Sequence, residues 1–126
     1  MKKMILAIAA MLPLTLNPAH ASEDSSGAVT LINAFSVPEG KEQEAIRFWE
    51  KAAAFMRTQP GYISTALHKS IAPDAQFELI NIARWESIEA FREASHALRT
   101  QSGIKPLEGL VANPALYTVI RTDRGD

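Results

Sequence analysis

The chain has 126 residues, 13 basic and 14 acidic side chains, a net charge of −1 and no cysteine. That balance argues against nucleic acid, whose binding leans on clustered Lys and Arg. The missing cysteine excludes a disulfide framework, a thiolate site and a lipoprotein anchor.

Residues 1–21 have the layout of a secretory leader. Lys2 and Lys3 form a basic start, Met4–Leu12 is an uncharged apolar run, Pro13 breaks it, and Ala19-His20-Ala21 supplies a small-x-small cleavage pattern. The apolar run is shorter than the roughly 20 residues a spanning helix needs. The expectation is cleavage after Ala21, export to the periplasm and no stable membrane anchor. The remaining 105 residues carry 11 basic and 14 acidic groups, net −3, and their length fits one domain with a modest core. Residues 22–28 begin with the polar run SEDSSG and read as a flexible N-terminal arm, residues 29–121 as the domain and 122–126 as a charged tail.

Within the domain, Val29–Val37 (VTLINAFSV) alternates and is rich in β-branched and aromatic residues, the pattern of a strand closed by Pro38-Glu39-Gly40. From Lys41 to Thr58 the period lengthens. Ile46, Trp49, Ala53 and Met56 recur at helical spacing, with Lys41, Glu44, Arg47, Glu50, Lys51 and Arg57 on the opposite side. Gln59-Pro60-Gly61 ends that helix. Tyr62–Ser70 reads as strand two, Ala72–Ala75 as a turn, and Phe77–Trp85 as strand three. Ser87 is placed to cap a second helix reaching Thr100, with Glu89 in its first turn. Residues 104–114 carry no single pattern beyond a short helical turn around Pro106–Leu110, and Ala115–Arg121 reads as strand four.

The order β-α-β-β-α-β, with right-handed crossovers, predicts an α+β, ferredoxin-like fold: a four-stranded antiparallel sheet with two helices on one face. Strands one and three are apolar on both sides. Leu31, Phe35 and Val37 stand against Ile32 and Ala34, and Leu79 and Ala83 against Ile80 and Ile82. Helices on one face cannot cover both, so the pattern predicts a homodimer through the bare sheet face.

Asn33 and Asn81 sit inside strands where a buried amide must find partners. Each either serves a ligand or satisfies itself across the sheet or at the dimer contact. His68, at the end of strand two, has the parity of Tyr62, Ser64 and Ala66; an imidazole there is a base suited to a phenol proton, or an exposed or hydrogen-bonded strand-end group. Trp85, Trp49 and Tyr62 offer stacking surface to an aromatic substrate, or fill the core. Arg84 suits an anionic ligand or a surface pair with a glutamate, and His96, beside Ser95, either reaches the pocket or faces solvent, the side its charged neighbours Arg92, Glu93 and Arg99 favour. No histidine–carboxylate spacing marks a metal site.

Three segments, NAFSVPEGKEQE (Asn33–Glu44), PGYISTALHKS (Pro60–Ser70) and NIARWESIEAF (Asn81–Phe91), in this order and spacing resemble the antibiotic biosynthesis monooxygenase (ABM) domain of the dimeric α/β-barrel group. The resemblance runs from Val29 to Ile120. It implies back-to-back sheets in a dimer and a pocket between sheet and helices in each subunit. Members include cofactor-free oxygenases of phenols or quinols, haem degraders, and proteins with no assigned reaction. In the family's enzymes a strand-one Asn can bond to substrate or oxygen, and Asn33 occupies a comparable place. The resemblance thus implies a cofactor-independent monooxygenase of a small aromatic or quinol, with His68, Asn33 and Asn81 as catalytic candidates and Trp85 and Tyr62 as substrate-binding ones. The alternatives are a non-catalytic ligand-binding or envelope-stress dimer, and a haem protein. Haem-degrading relatives add a Trp and a ligating His on the second helix. Here Ser87–Thr100 has no Trp, and His96 falls at a different spacing. No bound cofactor is expected.

Overall fold

The computed structural model describes residues 27–126; the leader and most of the arm lie outside them. Six elements follow in order: β1 (Val29–Ser36), α1 (Glu42–Met56), β2 (Tyr62–Lys69), β3 (Leu79–Trp85), α2 (Ile88–Gln101) and β4 (Val111–Tyr117). The strands form one antiparallel sheet in the order β2-β3-β1-β4, the ferredoxin-like arrangement expected from the element order. Among the described residues no helix is long and apolar enough to cross a membrane.

Alternation along the two central strands sorts their side chains. Val29, Leu31 and Phe35 on β1, and Leu79, Ala83 and Trp85 on β3, are buried on the helix-covered side. The intervening Ile80 and Arg84 are half-buried and Ile82 is exposed on the bare side. The core divides into two clusters. One gathers Val29, Leu31, Ala83, Trp85 and Ala94, and the other Phe35, Ala45 and Leu79. The helices approach the sheet through small residues, Ala45 and Ala53 on α1 and Ala94 and Ala97 on α2. Small residues bring backbones close but leave space wherever no large side chain fills in.

The start of α2 follows its sequence signal. Ser87 is extended, and its Oγ accepts a hydrogen bond from the Ala90 N–H at 3.0 Å. Just before β2, Gly61 has φ +89°, and a Cβ there would collide with Ala90 Cβ. Its carbonyl accepts the Glu86 N–H at 2.8 Å, tying the start of β2 to the end of β3. Both conformation and space demand glycine. Gly61→Ala is expected to cost about 1–3 kcal/mol, read as a lower denaturant midpoint at unchanged slope.

The structure corrects the sequence reading in two places. Strand four is Val111–Tyr117 rather than Ala115–Arg121, and the segment before it makes a turn at Glu108–Gly109 with no helix. β4 contains Pro114, and as an edge strand it tolerates the missing N–H. The second correction concerns β2. Tyr62 pairs with Trp85 but Ser64 pairs with Arg84, so an irregularity at Ile63 breaks the alternation. Tyr62 therefore faces the helices with Thr65 and Leu67, while Ser64, Ala66 and His68 face the bare side. The shared parity of Tyr62 and His68 does not hold, because a bulged residue flips every side chain beyond it.

Candidate active site

A cavity of about 260 Å³ opens between sheet and helices, where the two core clusters part. Its floor is the middle of β1 and β3: Leu31, Asn33 and Phe35 beside Asn81 and Ala83. Ala52 and Ala53 of α1 and Ser95 of α2 leave the space, and Phe48, Trp49, Met56, Phe91 and Leu98 frame it. The sequence thus places small and polar residues at the centre of an otherwise large-residue core. A mostly apolar concavity with a few convergent polar groups is the usual form of a small-molecule site.

Asn33 and Asn81 are register partners across β1 and β3, so their side chains start ~5 Å apart on one face. Each amide is held through its oxygen. Asn33 Oδ1 accepts the Asn113 backbone N–H at 3.1 Å, and Asn81 Oδ1 accepts the Thr65 hydroxyl at 2.6 Å. A backbone N–H can only donate, which fixes which end of Asn33 is oxygen. Asn113 also donates from Nδ2 to the Ala34 carbonyl at 2.9 Å. Among the described residues neither Nδ2 of Asn33 nor of Asn81 has an acceptor. The outcome is two anchored amides that present N–H donors at the floor of an apolar cavity.

Trp85 is 1% exposed and forms one wall of the cavity. Tyr62 meets it edge-on at 5.5 Å and 85°, and Phe91 meets it at 5.8 Å and 70°. Such T-shaped contacts hold the indole in one orientation.

The other sequence candidates lie elsewhere. His68 is exposed on the bare sheet face, and its Nδ1 is 3.3 Å from the Ile80 carbonyl oxygen. Its register partner is Ile80, one residue from Asn81 and on the opposite face. His68 thus does not join Asn33 and Asn81, a correction to its role as catalytic base. His96 is exposed on α2, as expected from its charged neighbours. Arg84 lies half-buried on the bare face with Nε unpaired among the described residues, rather than in an ion pair with a glutamate.

Sequence reasoning missed Thr65 and Asn113, which orient the two amides. The displaced carboxyl equilibria also lie away from the cavity. Lys69 Nζ sits 2.8 Å from Glu42 Oε2; this pairing holds Glu42 below the ordinary carboxylate value and Lys69 above the ordinary amine value. Burial, and then the neighbouring Glu42 charge, push Glu78 up. Among the described residues no group of three His, Cys, Asp or Glu side chains is placed to hold a metal.

The family profile described as "Antibiotic biosynthesis monooxygenase" matches residues 28–101. No match was found among curated proteins. Among solved structures, a "putative monooxygenase" from Shewanella loihica PV-4 is 50% identical, with TM-score 0.71, covering 78% of this chain and 99% of its own. SnoaB, a cofactor-independent oxygenase from Streptomyces nogalater, is 27% identical with TM-score 0.58, covering 77% of this chain and 97% of its own. The heme-degrader MhuD from Mycobacterium tuberculosis, solved with two hemes in its active site, is 27% identical with TM-score 0.58, covering 77% and 99%. These likenesses support association through the bare sheet face, as is typical of the fold. By the matched profile and by the 50% identity over nearly all of the Shewanella chain, this protein belongs to the antibiotic biosynthesis monooxygenase family.

Proposed function

We propose that the protein is an exported, homodimeric, cofactor-independent oxygenase that acts on a small aromatic or quinol bound in the cavity. The observation that carries this reading is the pair of amides at the cavity floor, anchored by their oxygens with both Nδ2 groups directed to no protein acceptor. SnoaB, a relative over nearly its whole length, is a cofactor-independent oxygenase. The leader at residues 1–21 supports export.

The chemistry asks little of the protein. A quinol and O₂ contain all the electrons and atoms of a hydroxyquinone and one water, so no external reductant is required. N–H donors aimed at a ring oxygen favour its anion over its neutral form, and the released proton passes to water at the open mouth. The phenolate gives one electron to O₂. The two radicals combine at a ring carbon, and loss of water leaves the hydroxyquinone. Negative charge moves from the ring oxygen to dioxygen during this sequence. Fixed amide dipoles in a surrounding of low polarity stabilise it without reorganising. Trp85, Phe91 and Phe48 hold the ring, and Thr65 and Asn113 act as positioning residues.

Haem does not fit this site. No imidazole lines the cavity, and His96, the one histidine of α2, is exposed outside it. The tryptophans lie on α1 and at the end of β3. No step is therefore assigned to haem.

A second reading, a non-catalytic small-ligand-binding dimer, is favoured by one feature: no histidine or carboxylate lines the cavity. Oxygen uptake separates the two. With 1,4-naphthohydroquinone, uptake above the protein-free rate is expected, and His68→Ala should retain it because that ring lies on the other side of the sheet. A rate equal to the protein-free rate sinks the oxygenase reading. Loss of activity in His68→Ala would show that the base is delivered from the sheet face after all.

A further inference from the structure

Beside the cavity runs a second, open concavity of about 600 Å³ between α2 and β4. The two share Leu31, Phe91, Ser95 and Pro114, so they adjoin across those four side chains. Arg92 and Arg99 both line this groove. They stand three residues before and four after Ser95, hence on one face of α2, about 10 Å apart along its axis. No carboxylate lines the groove. The ion pairs among the described residues are Lys41–Glu44 and Lys69–Glu42, and neither guanidinium takes part in one. Among the described residues, two cations without an ion-pair partner thus line a groove that adjoins the apolar cavity.

Size and polarity divide the ligand between the two spaces. About 260 Å³ holds one or two rings, and its apolar walls strongly disfavour a buried charge. Larger or charged substituents belong in the groove, where a guanidinium meets a carboxylate with two parallel N–H donors. From this juxtaposition we propose that the substrate is an aromatic acid: its ring lies over Asn33 and Asn81, and its carboxylate projects past Ser95 to Arg92 and Arg99. This rests on the cavity being the binding site and adds the chemical class of what enters it.

Calorimetric titration of purified protein with 1-naphthol and with 1-hydroxy-2-naphthoate at low salt tests it. The carboxylate is expected to bind about tenfold more tightly. The preference should shrink in 0.5 M salt and collapse in the double variant Arg92→Gln/Arg99→Gln, whose exposed positions leave the melting temperature unchanged. Equal binding of the two probes, or a preference that survives the double substitution, overturns the inference and leaves the cavity reading standing. Binding of neither probe to the unaltered protein defeats both.

Discussion

Asn33→Ala and Asn81→Ala are each expected to lower kcat for quinol oxidation by about 10²–10³, the usual loss when one preorganised donor to a developing oxyanion is removed. KM should move much less, because the donors matter most once charge has left the ring oxygen. The double variant should fall short of the product of the two losses, since both amides face one reacting centre. Folding is a separate matter. Removing Asn33 frees the Asn113 N–H of an edge strand, which costs about 1 kcal/mol, too little to unfold a domain of ordinary stability. Thr65→Val tests the anchoring of Asn81 with the donor still present. It should lower kcat about tenfold at unchanged KM, while Thr65→Ser restores it. Rates within threefold of the unaltered protein in both Asn variants would remove the amides from the mechanism.

Trp85→Ala should be the most damaging single truncation for stability, at about 3–5 kcal/mol. Trp85 and Leu79 are the largest fully buried side chains, and the indole touches the edge-on rings of Tyr62 and Phe91. Its loss opens a void continuous with the cavity and removes one wall of the ligand site. Trp85→Phe keeps an apolar ring there and should cost less than half as much. Urea unfolding followed by circular dichroism gives both values. Similar midpoints for Trp85→Ala and the unaltered protein would mean that Trp85 belongs to the ligand alone and contributes little to the fold.

Those two experiments probe residues whose positions were legible to different degrees. Trp85 was readable because strand parity and the cap at Ser87 both place it at a strand–helix corner, and the structure has it there. Asn33 and Asn81 were readable as polar interruptions of apolar strands. Their convergence was not, because it depends on the β1–β3 register that pairs them. His68 was misplaced for a local reason: the irregularity at Ile63 adds one residue to β2, and period-2 counting from Tyr62 then assigns the wrong face. The limits of β4 were missed because its residues are nearly all exposed and so carry no apolar alternation, and its pairing is a property of the whole sheet. The amide anchors Thr65 and Asn113 lie 16 and 80 residues from the groups they hold, distances over which no local pattern operates. The bare sheet face was legible throughout, since two-sided apolar strands in a chain with only two helices leave one face uncovered.

The most direct test of the account is the stoichiometry of oxygen use. Chelator-treated protein, free of haem and flavin by absorbance, is mixed with a quinol under ¹⁸O₂, and substrate, oxygen and product are followed together. The expected result is one O₂ consumed per quinol, one ¹⁸O atom in the hydroxyquinone, and a rate that falls with Asn33→Ala and Asn81→Ala. Oxygen consumption that appears only when haem or flavin is added, or product without ¹⁸O, would contradict it.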